Sequence, residues 1–179
     1  MVGADDAPDP FRRPSLIGAF VTDYQYPSVF FPARPQFAVT VPDDWSPHLT
    51  DGVEFAVVRD AEEGDGGFRP NVSVTITRVI GEADLTVFAT EIGTSLSEVP
   101  SVQILGAELR EVLDNPGIRI EMTFPHPSLG EPIFQAINGT VIQHDLVADL
   151  ITISGCCTVE QSKELLATIR EIVESARLE

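Results

Sequence analysis

FAVTVPDDWSPHL, residues 37–49, is the stretch whose pattern decides the fold. Phe37, Val39 and Val41 alternate with Ala38 and Thr40, the period-two signature of a strand with one buried face, and Pro42 ends it. Asp43 and Asp44 favour a turn, and the only tryptophan of the chain, Trp45, follows at once. So large an apolar side chain, placed directly after a charged turn, predicts an indole folded back over the open end of a core. Trp45 is therefore read as a packing residue, with ligand stacking as the alternative.

The same periodicity extends outward from this stretch. Val53, Phe55 and Val57 repeat it after a loop that holds Trp45, and NVSVTITRVI, residues 71–80, sets Val72, Val74, Ile76 and Ile80 on one face with Ser73, Thr75 and Thr77 opposite. Asp84 is placed to cap a helix whose apolar stripe is Leu85, Phe88, Ile92, Leu96 and Val99, closed by Pro100. Along residues 102–112 the apolar parity switches at Gly106, which predicts a β-bulge. GIRIEMTF, residues 117–124, places Ile118, Ile120, Met122 and Phe124 inward and Arg119, Glu121 and Thr123 outward. Residues 132–143 and 146–154 read as a hairpin broken at Gln143, His144 and Asp145. Thr158 and Gln161 form a capping box, and Leu165, Leu166, Ile169, Ile172, Val173 and Ala176 line one face of the helix that follows. About seven largely consecutive strands, one helix inserted and one at the end, predict an α+β fold: an antiparallel β-sheet flanked by helices.

A chain of 179 residues with 43% hydrophobic content can bury a sizeable core without disulfide or metal support. The reading divides it into a disordered acidic N-terminus at 1–15, an aromatic-rich arm at 16–35 and one domain at 36–179. The arm contains LIGAFVTDYQYPSVFF, residues 16–31. Phe20, Tyr24, Tyr26, Phe30 and Phe31 carry too much apolar surface to stay in water, so they pack either on their own domain or on a partner. These five are the candidate contact residues.

Charge narrows the partners. With 28 acids against 11 bases the net charge is −17, which repels phosphate backbones and excludes nucleic acid. Acids concentrate in residues 43–65, where Asp43, Asp44, Asp51, Glu54, Asp60, Glu62, Glu63 and Asp65 face one base, Arg59. That edge reads as a solvated, solubilising one, with docking of a basic partner as the alternative. No stretch is apolar for long enough to cross a membrane as a helix. The acidic start lacks the pattern of a signal peptide or a lipid-acceptor cysteine, so a cytoplasmic location is expected, or an envelope one if the true N-terminus lies upstream.

Motifs for chemistry are sparse. His48, His126 and His144 sit in separate turns and show no metal-ligand spacing, and the acidic loop lacks the alternating oxygen ligands of a calcium loop. No nucleophile elbow, P-loop or dinucleotide fingerprint occurs. Cys156 and Cys157 are adjacent, which disfavours a disulfide between them. Cys157 lies just before a predicted helix, so it is either a thiol activated by the helix N-terminus or a small packing residue. The expectation is no catalytic residue, no metal and no cofactor.

FAVTVPDDW followed by RPNVSVTITRV resembles the PsbP-like domains of the actinobacterial LpqN lipoprotein group, through Pro42, Trp45, Asn71 and Val72. The resemblance spans about residues 36–177. It implies an α/β/α sandwich around an antiparallel sheet, no catalytic activity, and association with the cell envelope and with protein partners in glycolipid export. The group's signal peptide and lipobox have no counterpart in this sequence. Residues and resemblance together predict a non-catalytic domain that engages a protein partner. The alternatives are a carrier or accessory protein for a hydrophobic envelope lipid or glycolipid, and an enzyme without a recognisable motif.

Overall fold

The alternation of apolar and polar residues in this chain builds strands that hydrogen-bond into one large sheet. The computed structural model describes residues 22–61 and 67–179. The acidic segment 1–15, the first part of the arm with Phe20, and Glu62, Glu63 and Asp65 of the acidic loop lie outside the described residues. The elements run β1 (Phe37–Ala38), β2 (Trp45–Pro47), β3 (Phe55–Arg59), β4 (Asn71–Ile80), α1 (Leu85–Ser97), β5 (Gln103–Val112), β6 (Asn115–Pro125), β7 (Pro132–Gln143), β8 (Val147–Thr158), α2 (Val159–Glu174) and β9 (Arg177–Leu178). Seven strands form an antiparallel sheet in the order β2-β3-β4-β8-β7-β6-β5.

The hairpin β7–β8 lies at the centre and is covered on both faces. Gly155 faces α2, since a Cβ there would stand 2.4 Å from Ile169 Cγ2. Gly139 faces α1, since a Cβ there would stand 1.8 Å from Phe88 Cζ. In register, Gly155 lies opposite Ala136 and Val72, whereas Gly139 lies opposite Thr152 and Ile118. Each face therefore gives up one side chain so that a helix can approach. The larger core lies under α2 and includes Val72, Val74, Phe134, Ile151, Ile153, Ile169 and Ile172. A smaller one, Ile120, Met122 and Ile137 with Ile92 and Leu96 against them, lies under α1.

Both helices begin as their sequences predict. The Asp84 carboxylate accepts from the amides of Thr86 and Val87, and Thr158 with Gln161 completes the capping box. The bulge is also where parity placed it: the β5–β6 register shifts between Ile104 and Gly106, then continues with Ala107 opposite Ile120 and Leu109 opposite Ile118.

Four expectations are corrected. The opening stretch is a strand only at Phe37–Ala38, and it pairs with β9 outside the main sheet. Beyond it, the backbone N–H and C=O of Thr40 bond the Ser175 hydroxyl at the end of α2, while Val39 and Val41 pack on the α2-side core. Trp45 begins a strand instead of sitting in a loop; it pairs opposite Arg59 and is 5% exposed within that core. Ile80 is 94% exposed, because it pairs with Val147 at the end of the sheet, beyond the reach of α2. Arg119 and Glu121 are not solvent-facing polar residues: Glu121 accepts two bonds from Arg170 of α2, at 2.9 and 2.7 Å, and one from Arg119 at 2.5 Å.

The close approach at Gly139 gives a direct test. Gly139→Ala should cost roughly 1–3 kcal/mol, as forcing volume into a packed interface does. Adding Phe88→Leu should recover part of that loss in urea unfolding; full stability of the single variant would contradict the seating of α1.

Candidate functional site

Two charged residues occupy rows that the strand pattern reserves for the core. Arg78 continues the Val72, Val74, Ile76 face of β4, and Asp149 begins the Asp149, Ile151, Ile153 face of β8, directly across from it. Asp149 is fully buried and accepts from Arg78 Nε and Nη2, both at 2.7 Å. His144 Nε2 stands 3.0 Å from the same carboxylate. Burial alone would raise the Asp149 pKa, but the hydrogen bonds from Arg78 and His144 outweigh it and hold the carboxyl below its ordinary range.

This ion pair also fixes the arm. Arg78 Nη1 donates to the Pro32 carbonyl at 2.6 Å and Nη2 to the Ala33 carbonyl at 3.2 Å. Arg34, next along, pairs with Glu54. Upstream, Ser28 and Phe31 close a tight turn by reciprocal backbone bonds of 2.9 and 3.1 Å, and Val29 and Phe30 stand at its tip. Tyr24, Tyr26, Phe30 and Phe31 are 53–80% exposed, and backbone bonds hold the segment at Ser28, Phe31, Pro32 and Ala33, on either side of Phe30. Four of the five candidate contact residues thus share one segment, and the fifth, Phe20, lies outside the described residues.

Two cavities flank the helices. One, of about 330 Å³, lies between α1 and the sheet. Its floor carries the hydroxyls of Thr75, Thr77 and Thr152, and Ile92, Leu96 and Val99 form an apolar wall. The other, of about 370 Å³, lies beside α2 and is lined by Arg119, Glu121 and Arg170 with Gly106 and Ala107. Burial would raise the Glu121 pKa, yet Arg170 and Arg119 together hold it low. Neither cavity is lined by Phe30, Phe31 or Trp45.

The remaining candidates separate in space. His126 makes an edge contact with Phe68 in a loop, and His48 is exposed. On the acidic edge, Asp44 pairs with Arg59 at 2.9 Å and Asp60 accepts from the Ser46 hydroxyl at 2.6 Å. Cys157 points into the α2-side core opposite Phe134, and burial pushes its thiol up to about 12. Burial also pushes Cys156 up to about 11, so the reading of Cys157 as an activated thiol fails: desolvation outweighs the helix N-terminus. Sequence reasoning missed the Arg78–Asp149 pair. The signal was there, a charge of each sign at inward parity on two long strands.

Three outcomes follow from these environments. Arg78→Met leaves a buried carboxylate without its main partner and should cost roughly 3–5 kcal/mol. The folded Asp149 pKa lies below the ordinary 3.8, so its contribution is complete above that value and is lost as pH falls through the folded pKa. A stability–pH profile of Asp149→Asn should show a flatter acid limb than the wild type; an identical limb would refute the pairing. Both thiols should react slowly with a disulfide reagent at neutral pH and quickly once unfolded, and a fast native phase would contradict their burial.

No family model matches the chain, and no curated protein matches it in sequence. Solved structures do. LpqN of Mycobacterium tuberculosis, described as involved in cell envelope biogenesis, superposes with a TM-score of 0.68 at 16% identity, over 82% of this chain and 85% of LpqN. The cyanobacterial PsbP of Synechocystis superposes with a TM-score of 0.51 at 14% identity, over 80% of this chain and 86% of that one. At such identities the likeness is one of architecture. With a seven-stranded antiparallel sheet and a helix on each face, the chain has the LpqN-like, PsbP-like fold.

Proposed function

We propose that the protein is a non-catalytic binding module: a domain at 36–179 whose arm, residues 16–35, forms the contact surface for a protein partner. The observation that carries this reading is a preformed aromatic tip. Phe30 and Phe31 are exposed while Arg78 and the Ser28–Phe31 turn hold the backbone beneath them, and Tyr24 and Tyr26 stand exposed just before the turn. Rings already in place lose little conformational freedom on docking, and aromatic side chains are enriched at the cores of protein interfaces. The Arg78–Asp149–His144 cluster supports the arm; its polar atoms already bond one another and the arm backbone.

The involvement of LpqN in cell envelope biogenesis makes envelope proteins the first partners to try. Cross-linking and pull-down from the native organism identify the partner. Phe30→Ala with Phe31→Ala should then weaken its binding by tenfold or more without lowering the melting temperature. Deleting residues 1–33 should abolish binding and leave a folded domain. Unfolding on deletion would place the arm in the core, and undiminished binding would place the contact elsewhere.

The cavity beside α1 favours a second reading, a carrier for a hydrophobic lipid or glycolipid. Its apolar wall and hydroxyl floor suit an amphiphile. A fluorescent fatty-acyl probe that binds the wild type, is excluded by Ser95→Trp and ignores the Phe30 and Phe31 substitutions would select this reading over the first.

A further inference from the structure

The two edges of the main sheet are built differently. One edge, β2, is a three-residue strand ending at Pro47, preceded by Asp43 and Asp44, which are devices that discourage another strand from pairing. The other, β5, has ten residues without lysine or proline and is exposed along nearly its whole length. Ile104, Leu105 and Leu109 present apolar side chains there, with Leu109 79% exposed. A cavity of about 470 Å³, lined by Leu85, Leu109 and Pro116, opens beside it.

The bulge at Leu105 limits regular pairing to the run from Gly106 to Val112, whose midpoint is Leu109. A strand laid antiparallel on its own copy about that midpoint meets itself in a defined register. Glu108 of one copy stands opposite Arg110 of the second, and Arg110 opposite Glu108. Both side chains point to the α2 face, as their places opposite Arg119 and Gly117 in β6 require. Leu109 meets Leu109 on the other face, at the axis. Among the described residues, Arg110 uses only Nη1, bonding Glu174 at 3.1 Å, and Glu108 stands 3.9 Å from Arg119, so both charges can serve a second strand. Opposite charges directly across a ladder stabilise it and like charges destabilise it.

We propose that this chain forms a two-fold symmetric dimer in which β5 pairs antiparallel with β5 of a second copy, centred on Leu109 and fixed in register by two Glu108–Arg110 contacts. The two sheets then become one, and the exposed edge is paired. The described part of the arm is held at β4, with three strands between it and β5, so the dimer is independent of the partner surface proposed above.

Sedimentation equilibrium of the full chain tests this, with far-UV circular dichroism to verify folding. The wild type should show a concentration-dependent monomer–dimer equilibrium. Glu108→Arg sets like charges at both contacts, as does Arg110→Glu, and each should weaken self-association by roughly tenfold or more. Mixing the two variants restores opposite charges at both contacts and should recover a mixed dimer, which a change in folding alone would not produce. Leu109→Lys should also abolish the dimer. A monomeric wild type, single variants that associate normally, or a mixture that stays monomeric would each overturn the proposal. So would a chain that dimerises only after residues 1–21 are removed, since the chain's own N-terminus would then be the occupant of the edge.

Discussion

The structure depends on a helix approaching each face of one central hairpin. Gly139 and Gly155 sit on neighbouring strands with their missing side chains on opposite sides, one beneath Phe88 and the other beneath Ile169. A sheet buried on both faces must leave room for two layers, and residue alternation lets one hairpin do so without disturbing its ladder. The unequal cores follow. The α2 side gathers side chains from β3, β4, β7 and β8, whereas α1 reaches chiefly β6 and β7.

Where the helices sit decides which parts of the sheet stay uncovered. Because α1 sits over one half of its face, the threonines of β4 and β8 are left as the floor of a cavity. Because α2 stops short of β5, the charged row of Arg119, Glu121 and Arg170 lies between helix and edge strand. The arm runs past the end of β4, where a buried carboxylate fixes an arginine that in turn holds two backbone carbonyls. Ordering a segment through its backbone frees its side chains for contacts elsewhere, and the exposed rings of Phe30 and Phe31 are the result.

Among the described residues, the fully buried carboxylate of Asp149 and the half-buried one of Glu121 each have several partners. Asp149 accepts from Arg78 and His144, and Glu121 from Arg119 and Arg170. In both cases hydrogen bonds, those from arginine foremost, outweigh desolvation, the condition under which an ion pair can sit inside a fold. Each pair links elements that apolar packing alone would leave free to slide: the arm to β4 and β8 in one case, α2 to β6 in the other.

Much of this was legible in the chain itself. Period-two alternation located β4 and β6, the break at Gln143, His144 and Asp145 located the hairpin β7–β8, the parity switch at Gly106 located the bulge, and Asp84 and the Thr158–Gln161 pair located both helix starts, because these depend on neighbours within a few residues. The burial of Trp45 followed in the same way from its place after a charged turn. Tertiary structure alone decided which strand Trp45 joined, why Phe37–Val41 left the main sheet for the end of α2, and why Arg119 and Glu121 face a helix instead of water. Those outcomes rest on partners far along the chain, Arg59 for Trp45, Ser175 for Thr40 and Arg170 for Glu121, and no local pattern encodes contacts made across such separations.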